Sequence, residues 1–270
     1  MVDVVCSKLP SPNSRVHAEV SIRAGGSAVN AAEAAGAAGA SAAVVGRVGS
    51  DSAAELVTAE LEELGIDAHL ARDLDLPTGM AVSLGIDPSS PSVVANRGAN
   101  ARLSPEDIPD LLEADVLFVS GFAFFQTGSS GAARTAWDRF EGAWAGVDLS
   151  SPTLAEAARD VDFGDPGRSQ TVVLATADEA RAMTGEEPEE AASMLASRFS
   201  VACIKLGEQG ALAAAGDRVE RRAVDAVARR SPFGAGDAFG ATLLVALAGD
   251  TPLGRGLDLA CAAGARAAAG

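Results

Sequence analysis

The sequence predicts an α/β fold with a mostly parallel sheet, and three observations support this prediction. The chain has 270 residues, of which 48% are hydrophobic, enough for a full-sized core. Short apolar runs typical of buried strands alternate with longer runs typical of helices. Glycines stand at many of the joints between them. Strands that alternate with helices favour a parallel sheet, in which ligands bind at the carboxyl ends of the strands.

The first third of the chain combines this alternation with a hairpin. Gly25-Gly26 opens the first helix and Gly39 ends it, while Asp51 or Ser52 caps the second helix and Gly65 stops it. The elements predicted here are helices over about 27–38 and 51–64 and strands over 42–48, 78–86 and 92–95. The last two strands, joined by a turn at 87–90, interrupt the rhythm, so we expect this hairpin outside the main sheet.

Strands and helices alternate more regularly in the rest of the chain. Predicted strands cover 116–120, 145–148, 171–175 and 201–205, followed by a hairpin of 211–215 and 218–223 around Gly216-Asp217. Predicted helices cover 130–141, 153–159, 177–183, 189–197, 235–248 and 253–268. We find no internal repeat and no linker long enough to divide the chain, so we expect one domain over 1–270.

Charge and composition exclude several functional classes. A net charge of −16 argues against a nucleic-acid binder, which needs a basic surface. No apolar run reaches the roughly 18 residues of a membrane helix, so we expect a cytoplasmic protein without a membrane partner. Three widely spaced cysteines predict reduced thiols. With only two histidines and no tyrosine, acid–base chemistry is left to carboxylates and lysines.

The run Gly234-Ala235-Gly236-Asp237 precedes a good helix-forming stretch. Small residues let the backbone approach a ligand closely, and a helix N-terminus offers free N–H groups and a partial positive charge to a phosphate. A carboxylate in that first turn can accept a proton from an attacking hydroxyl. On its own the run fits an ordinary helix start with a capping aspartate equally well.

A second glycine run, Gly25-Gly26, is followed by Asn30 one helical turn later. Two glycines allow close approach of a substrate, and asparagine is a poor interior helix former, so its position favours a polar partner such as a sugar hydroxyl. A glycine-rich turn with a solvated asparagine is the plain alternative. The chain has neither a dinucleotide-binding fingerprint after a strand nor a P-loop.

These motifs, taken together and in order, resemble the ribokinase-like sugar kinases, also called the PfkB carbohydrate kinase family. The runs that carry the resemblance are Gly25–Asn30, Val45–Asp51, Leu64–Ile66, Arg97–Asn100 and Gly234–Phe239. The resemblance covers nearly the whole chain. It implies a three-layer α/β/α domain with a small β lid, formed by strands around 78–95 and near 15–24, and a possible homodimer through that lid.

The resemblance also implies the roles of individual residues in a kinase that uses ATP and Mg²⁺. Asp237 resembles the base that deprotonates the acceptor hydroxyl, and the backbone of Gly234, Ala235 and Gly236 resembles the anion hole for the transferred phosphoryl group. The residues that resemble substrate contacts are Asp3, Gly25, Gly26, Asn30 and Arg97. Those that resemble nucleotide contacts are Thr176, Glu179, Lys205, Gly207, Gly210 and Cys261, with Glu179 also near the metal.

Several positions depart from the family pattern. Thr176 replaces the asparagine of an Asn-x-x-Glu motif, which leaves metal organisation open. Ser231 stands where an aspartate is usual, which weakens a monovalent-cation site built on that carboxylate, and Cys261 replaces an asparagine beside the adenine. Members usually begin with a full strand before the early aspartate. Asp3 lies two residues from the start, so we expect in-frame upstream DNA to encode such a strand.

The predicted acceptor is a sugar acid similar to 2-keto-3-deoxygluconate. Arg97 and the spelling Pro232-Phe233 resemble the 2-keto-3-deoxygluconate kinase branch, in which an arginine contacts the sugar acid. Against that branch, Val94, Ala95 and Asn96 replace its usual aromatic residues. Ribose or another neutral sugar, or a nucleoside, remains an alternative acceptor. A non-catalytic sugar or nucleotide sensor is the alternative from another functional class.

Overall fold

The computed structural model describes residues 1–8, 12–84, 92–110, 112–163, 169–224 and 233–269. The strands are β1 (Val2–Cys6), β2 (Val20–Ala24), β3 (Ala43–Val48), β4 (Asp67–Arg72), β5 (Thr78–Leu84), β6 (Ser92–Gly98), β7 (Val116–Ser120), β8 (Trp144–Asp148), β9 (Gln170–Thr176), β10 (Val201–Lys205), β11 (Ala211–Ala215) and β12 (Arg218–Arg222). The helices are α1 (Ser27–Ala37), α2 (Ser52–Glu63), α3 (Gly121–Phe124), α4 (Ser130–Arg139), α5 (Pro152–Ala157), α6 (Ala177–Thr184), α7 (Pro188–Leu195), α8 (Ala235–Ala248) and α9 (Leu253–Ala269).

The central sheet has six strands in the order β12-β11-β10-β9-β8-β7. Strands β7 to β10 are parallel, and β11 and β12 add the predicted antiparallel hairpin. Because four parallel strands run together, the ends of β8, β9 and β10 bring Asp148, Thr176 and Lys205 to one edge. This is the edge at which the predicted ligand site was expected.

Helices cover both faces of this sheet, as the strand pattern requires. On β9, Val173 and Ala175 point into a core shared with α4 to α7, whereas Val172 and Leu174 point into a core shared with α8 and α9. Buried strands of a parallel sheet are apolar on both faces because each face packs against helices. The predicted three-layer α/β/α arrangement is therefore confirmed.

An aromatic cluster anchors the layer of α3 to α7. Phe124 and Trp137 are fully buried, with ring centroids 5.7 Å apart in an edge-on arrangement. Phe163 continues the cluster, 5.6 Å from Phe124 and 4.9 Å from Phe199. Edge-on and tilted ring pairs stabilise a core beyond the area that they bury.

The predicted hairpin stands outside the central sheet, in a separate four-stranded lid sheet of order β2-β1-β5-β6. Strand β1 was not predicted as a strand, and the turn predicted at 87–90 lies outside the described residues. One face of the lid carries Asp3, with Ala81 and Ala95 beside it in register. The opposite face is largely apolar, so the lid has one polar side and one apolar side.

Strands β3 and β4 form a parallel pair of their own, and in the described residues no ladder joins them to the six-stranded sheet. Strand β4 was missed in the sequence because Asp67–Arg72 has no β-branched residue and a mixed burial pattern. Helix α2, between the two strands, begins and ends as predicted. Asp51 caps it by accepting from Ala54 N–H at 3.0 Å, and Gly65 follows it with φ = 68°.

No helix among the described residues is long and apolar enough to pass through a bilayer.

Candidate active site

Helix α8 begins with a tight backbone turn. Its N-cap, Gly234, has φ = 88°, in the left-handed region that favours glycine. A Cβ at this position would also lie 3.2 Å from Cγ of Asn30. The small residues 235 and 236 keep the first turn open, so its free N–H groups can receive an anion.

Asp237 lies in this first turn and accepts a hydrogen bond from Asn30 Nδ2 at 2.9 Å. Burial raises the pKa of Asp237 to about 6, and the carboxylate of Asp148 acts in the same direction. Hydrogen bonds from Asn30 and Ser27 and the ammonium of Lys205 oppose the rise. A carboxylate with this pKa is largely ionised at pH 7 yet basic enough to take a proton from a hydroxyl.

Asp3, on the lid, is enclosed by the start of α1. The residue is 1% exposed, and Gly26 N–H donates to its Oδ2 at 3.3 Å. A Cβ on Gly25 would lie 2.1 Å from the same carboxylate, so only glycine fits there. Burial raises the pKa of Asp3, because hydrogen bonds and nearby charges only partly offset the loss of water.

The first turn of α1 connects these two groups of residues. Gly26 is the N-cap of α1, and Asn30 N–H donates to Gly26 C=O at 3.1 Å, one turn along the helix. Gly26 faces Asp3 of the lid, while Asn30 faces Asp237 of α8. The structure therefore brings together Asp3, Gly25, Gly26, Asn30 and Asp237, which the family resemblance predicted as substrate contacts and base.

Arg97 lies near the end of β6, opposite Gly79 of β5 and on the Asp3 face of the lid sheet. It donates to Ser129 Oγ at 2.6 Å and to Asn100 C=O at 3.3 Å. Among the described residues it forms no ion pair with a carboxylate. Burial lowers the pKa of Arg97, so this guanidinium has lost water without gaining a counter-charge from the described residues.

A cluster of charged side chains lies at the carboxyl ends of β8 to β10. Lys205 donates to Asp148 Oδ2 in a short, charge-assisted hydrogen bond. Burial acts to lower the pKa of Lys205, but Asp148 and Glu179 outweigh it, and the resulting pKa lies above the ordinary value. Lys205 is therefore protonated and lies between these carboxylates.

Asp148 was missed in the sequence as a site residue, although its strand was predicted. A signal was present, because Asp148 and Lys205 end two buried parallel strands separated only by β9. Polar residues at the carboxyl ends of such strands meet at one edge.

Thr176 and Glu179 form a reciprocal cap at the start of α6. Thr176 N–H donates to Glu179 Oε2 at 2.7 Å, and Glu179 N–H donates to Thr176 Oγ1 at 3.3 Å. Burial raises the pKa of Glu179, which is 5% exposed. Thr176, which replaces the asparagine of the family motif, therefore caps α6 together with Glu179.

A cleft of about 410 Å³ lies beside this cluster, within the 300–1,000 Å³ range of small-molecule sites. Its lining includes the predicted residues Thr176, Lys205, Gly207, Gly210, Ala235, Gly236 and Cys261. Gly210 has φ = 89°, and a Cβ there would meet Arg222 C=O at 2.0 Å. Small residues of α9, Gly264, Ala265 and Ala268, complete the lining. Ser231 lies outside the described residues.

Comparison with known proteins settles the family. The model of the pfkB family of carbohydrate kinases matches residues 2–269. The chain belongs to this family. An ATP-dependent ribose-1-phosphate kinase from Halopiger xanaduensis is 30% identical to this PfkB protein over 256 residues, which are 92% of this chain and 82% of that relative.

Solved structures share the PfkB fold with this chain. Adenosine kinase from Sinorhizobium meliloti has 21% identity and a TM-score of 0.85, over 98% of this chain and 90% of that chain. Ribokinase from Thermotoga maritima has 22% identity and a TM-score of 0.78, over 100% of this chain and 90% of that chain. A ribokinase II structure from E. coli in complex with ATP and Mg²⁺ has 19% identity and a TM-score of 0.83, over 100% of this chain and 90% of that chain.

Membership makes the chain a phosphotransferase that acts on sugars or nucleosides, and the predicted kinase class is confirmed. A non-catalytic sensor is therefore not the class to which this PfkB protein belongs.

Proposed function

We propose that this PfkB kinase transfers the γ-phosphoryl group of ATP to a hydroxyl of a sugar that carries an anionic group. The single observation that carries the phosphoryl transfer is the position of Asp237. It lies at the start of α8, next to Asn30 on one side and to the cleft-lining Gly236 on the other. We assign the lid side, with Asp3, to the sugar and the cleft side to the nucleotide.

Asp237 acts as the general base in this proposal. Its carboxylate takes the proton of the acceptor hydroxyl while the hydroxyl oxygen forms a bond to the γ-phosphorus. The bond from the γ-phosphorus to ADP breaks, and ADP leaves with the electron pair. The backbone N–H groups of residues 234 to 236 stabilise the charge on the transferred group.

The residues present are compatible with Mg²⁺ carried mainly by the nucleotide. The described residues contain no group of three or more His, Cys, Asp or Glu side chains able to hold a metal. Mg²⁺ usually keeps several waters and binds through one or two carboxylates plus phosphates, and Glu179, beside the cleft residue Thr176, is the proposed protein carboxylate. When bound, the ion neutralises charge on the phosphates.

Arg97 supports an acceptor with an anionic group. Its half-buried guanidinium lies on the Asp3 face of the lid and has no carboxylate partner among the described residues. Arginine binds carboxylates and phosphates through paired hydrogen bonds. Both a sugar phosphate and a sugar acid such as 2-keto-3-deoxygluconate fit this chemistry. The ribose-1-phosphate kinase relative favours a sugar phosphate.

A panel of acceptors with wild-type protein, ATP and Mg²⁺ tests the proposal, with ADP release as the readout. We expect ribose 1-phosphate or 2-keto-3-deoxygluconate to exceed ribose and adenosine by at least ~10-fold in kcat/KM. Arg97→Met should remove this preference. Arg102→Met, at a surface arginine paired with Asp75, should retain it and is the matched control. A preference for ribose or adenosine would contradict the anionic acceptor.

We propose further that 1–270 is one cytoplasmic kinase domain that dimerises through its lid. Support for the dimer comes from the apolar lid face, where Val20, Ile22 and Val94 are 58%, 56% and 65% exposed. Exposed apolar patches of this kind favour protein contacts. Sedimentation should show a dimer that Ile22→Glu converts to a monomer, whereas Val219→Glu, on β12, leaves it intact. A wild-type monomer would contradict the dimer.

A further inference from the structure

Ser129 precedes helix α4 and is fully buried. A serine at this position ordinarily accepts a hydrogen bond from an N–H group in the first turn of its own helix. Ser129 forms no such bond. Its Oγ instead donates to Ala123 C=O at 3.0 Å and accepts from Arg97 Nη2 at 2.6 Å. Because the hydroxyl proton is directed to a carbonyl, a lone pair is left for the guanidinium, and the side chain holds Arg97 rather than capping α4.

The backbone before Ser129 is packed tightly and fixes the position of the hydroxyl. Gly128 has φ = 95°, and a Cβ there would lie 2.2 Å from Ala101 C=O. Ala101 belongs to the short 3-10 helix Ala99–Arg102, which follows β6. Since only glycine allows this approach, the turn that begins α4 packs closely against the segment that follows Arg97 in the chain.

Asn100, in the same 3-10 helix, supplies the second contact to Arg97. Its C=O accepts from Arg97 Nη2 at 3.3 Å, while its Oδ1 accepts from Arg47 N–H at 2.9 Å. The guanidinium of Arg47 pairs with Asp73 at 3.2 Å and with Asp107 at 2.9 Å. The residue whose carbonyl accepts from Arg97 is therefore tied to β3 by its own side chain, beside these ion pairs.

The two arginines differ in the charge of their partners. Carboxylates compensate the charge of Arg47, whereas Ser129 and Asn100 offer Arg97 only neutral oxygens. Burial is the cause of the lowered pKa of Arg97, and no described carboxylate, Asp3 included, raises that pKa. Both contacts use Nη2, so Nε and Nη1 have no hydrogen-bond partner among the described residues. The guanidinium is therefore oriented, while its positive charge and these two donor nitrogens stay available to a ligand.

We propose that Ser129 is a positioning residue that, together with the C=O of Asn100, orients Arg97 for the anionic group of the acceptor. The inference rests on the proposed function for the contact between Arg97 and the acceptor, whereas the orientation itself does not depend on it. A planar guanidinium held at one nitrogen by two acceptors has lost much of its freedom to rotate before the acceptor arrives. Because less freedom is lost on binding, an anionic acceptor gains affinity that a neutral sugar does not gain. Ser129 thus contributes to specificity without touching the acceptor.

Nuclear magnetic resonance of the arginine side chains measures the orientation without any acceptor. In the wild type, rotation of the Arg97 guanidinium about its Cζ–Nη2 bond should be slow, because Nη2 donates to both Asn100 and Ser129. Ser129→Ala removes one of these acceptors, so the rotation should become at least ~10-fold faster. Arg97→Lys removes the Arg97 signals and thereby assigns them. An equal rotation rate in wild type and Ser129→Ala would overturn the proposal.

Further variants separate orientation from folding. Ser129→Thr keeps the hydroxyl and should keep the rotation slow. Ser129→Gly replaces Ser129→Ala if the latter fails to fold, since glycine is tolerated before a helix. Ser151→Ala is the matched control, because Ser151 caps α5 by accepting from Leu154 N–H at 3.3 Å, and it should leave the rotation of Arg97 unchanged. Equally fast rotation in Ser151→Ala would mean a general loss of packing and would also overturn the assignment.

Steady-state kinetics with ribose 1-phosphate and ribose test the consequence for specificity, because the two acceptors differ by one anionic group. Ser129→Ala should raise KM for ribose 1-phosphate about 10-fold, keep its kcat within about twofold, and leave both constants for ribose unchanged. Ser129→Thr should restore KM, and Ser151→Ala should not change it. Equal rises for both acceptors, or no rise for ribose 1-phosphate, would overturn the role of Ser129 in specificity. A wild type that prefers ribose contradicts the proposed acceptor instead, and the rotation of Arg97 then still decides whether Ser129 orients it.

Discussion

Asn30 Nδ2 donates a 2.9 Å hydrogen bond to Oδ2 of Asp237, although 207 positions separate the two residues in the chain. The bond joins the first turn of α1 to the first turn of α8. Because it stabilises the ionised carboxylate, it lowers the pKa that burial has raised. Asn30, on the side of the site that we assign to the sugar, therefore lowers the pKa of the proposed base.

Removing this hydrogen bond should shift the pH dependence of the reaction. The base must be deprotonated, so kcat/KM of the wild type should fall as pH drops through about 6. Asn30→Ala removes a contact that lowers the pKa, so the acidic limb should move to higher pH. Ser27→Ala should shift it in the same direction, and Glu33→Gln, exposed on α1, should leave it in place. An unchanged or lowered limb in Asn30→Ala contradicts this account.

Replacing the base should remove turnover without removing nucleotide binding. Asp237→Asn keeps the shape of the side chain but cannot accept a proton, so we expect kcat to fall by about 10²- to 10⁴-fold. The affinity for ADP, measured by calorimetry, should change little. Asp217→Asn, in the turn between β11 and β12, is the control. Turnover of Asp237→Asn at the wild-type rate would show that another group serves as base.

The close packing at Gly25 gives a matched pair of glycine substitutions. Gly25→Ala places a Cβ 2.1 Å from the Asp3 carboxylate, so Asp3 must move and acceptor KM should rise at least about tenfold. Gly36→Ala, on the same helix, meets nothing within 4 Å and should stabilise α1 by about 0.5–1 kcal/mol. Steady-state kinetics and urea unfolding measure the two effects. An unchanged acceptor KM in Gly25→Ala would argue against a substrate role for Asp3.

The aromatic cluster should dominate the stability of its layer. Phe124 is 1% exposed and contacts three other aromatic rings, so Phe124→Ala should lower the free energy of unfolding by about 3–5 kcal/mol. Phe122 is 43% exposed, and Phe122→Ala should change the free energy of unfolding by less than about 1 kcal/mol. Chemical denaturation of the two variants checks the difference. Similar losses in both would mean that the cluster is not the main anchor.

Local patterns in the sequence were sufficient to predict most of the architecture. Helix α2 was predicted from its cap at Asp51 and its stop at Gly65, and both act as expected. Strand β4 could not be predicted, because its residues have weak strand preference and it is held by pairing with β3. Strand β1 was missed because its partners, β2 and β5, are distant in the chain.

Some features of the candidate site could likewise be predicted from the local sequence, whereas others depend on tertiary packing. The glycine runs at Gly25 and Gly234 were visible because positive φ and close approach restrict those positions to glycine. The hydrogen bond between Asn30 and Asp237 could not be predicted, since it depends on how α1 packs against α8. The pairing of Lys205 with Asp148 likewise needed the strand order, which places β9 between their strands.

The position of α8 late in the chain has a consequence for synthesis. Until α8 leaves the ribosome, the face of the central sheet formed by Val172, Leu174 and Val201 has no helix to cover it. Nascent chains that end before residue 235 expose this apolar surface, which favours chaperone binding or aggregation. Because the same helix supplies Asp237, a chain that ends before α8 lacks both this apolar cover and the proposed base.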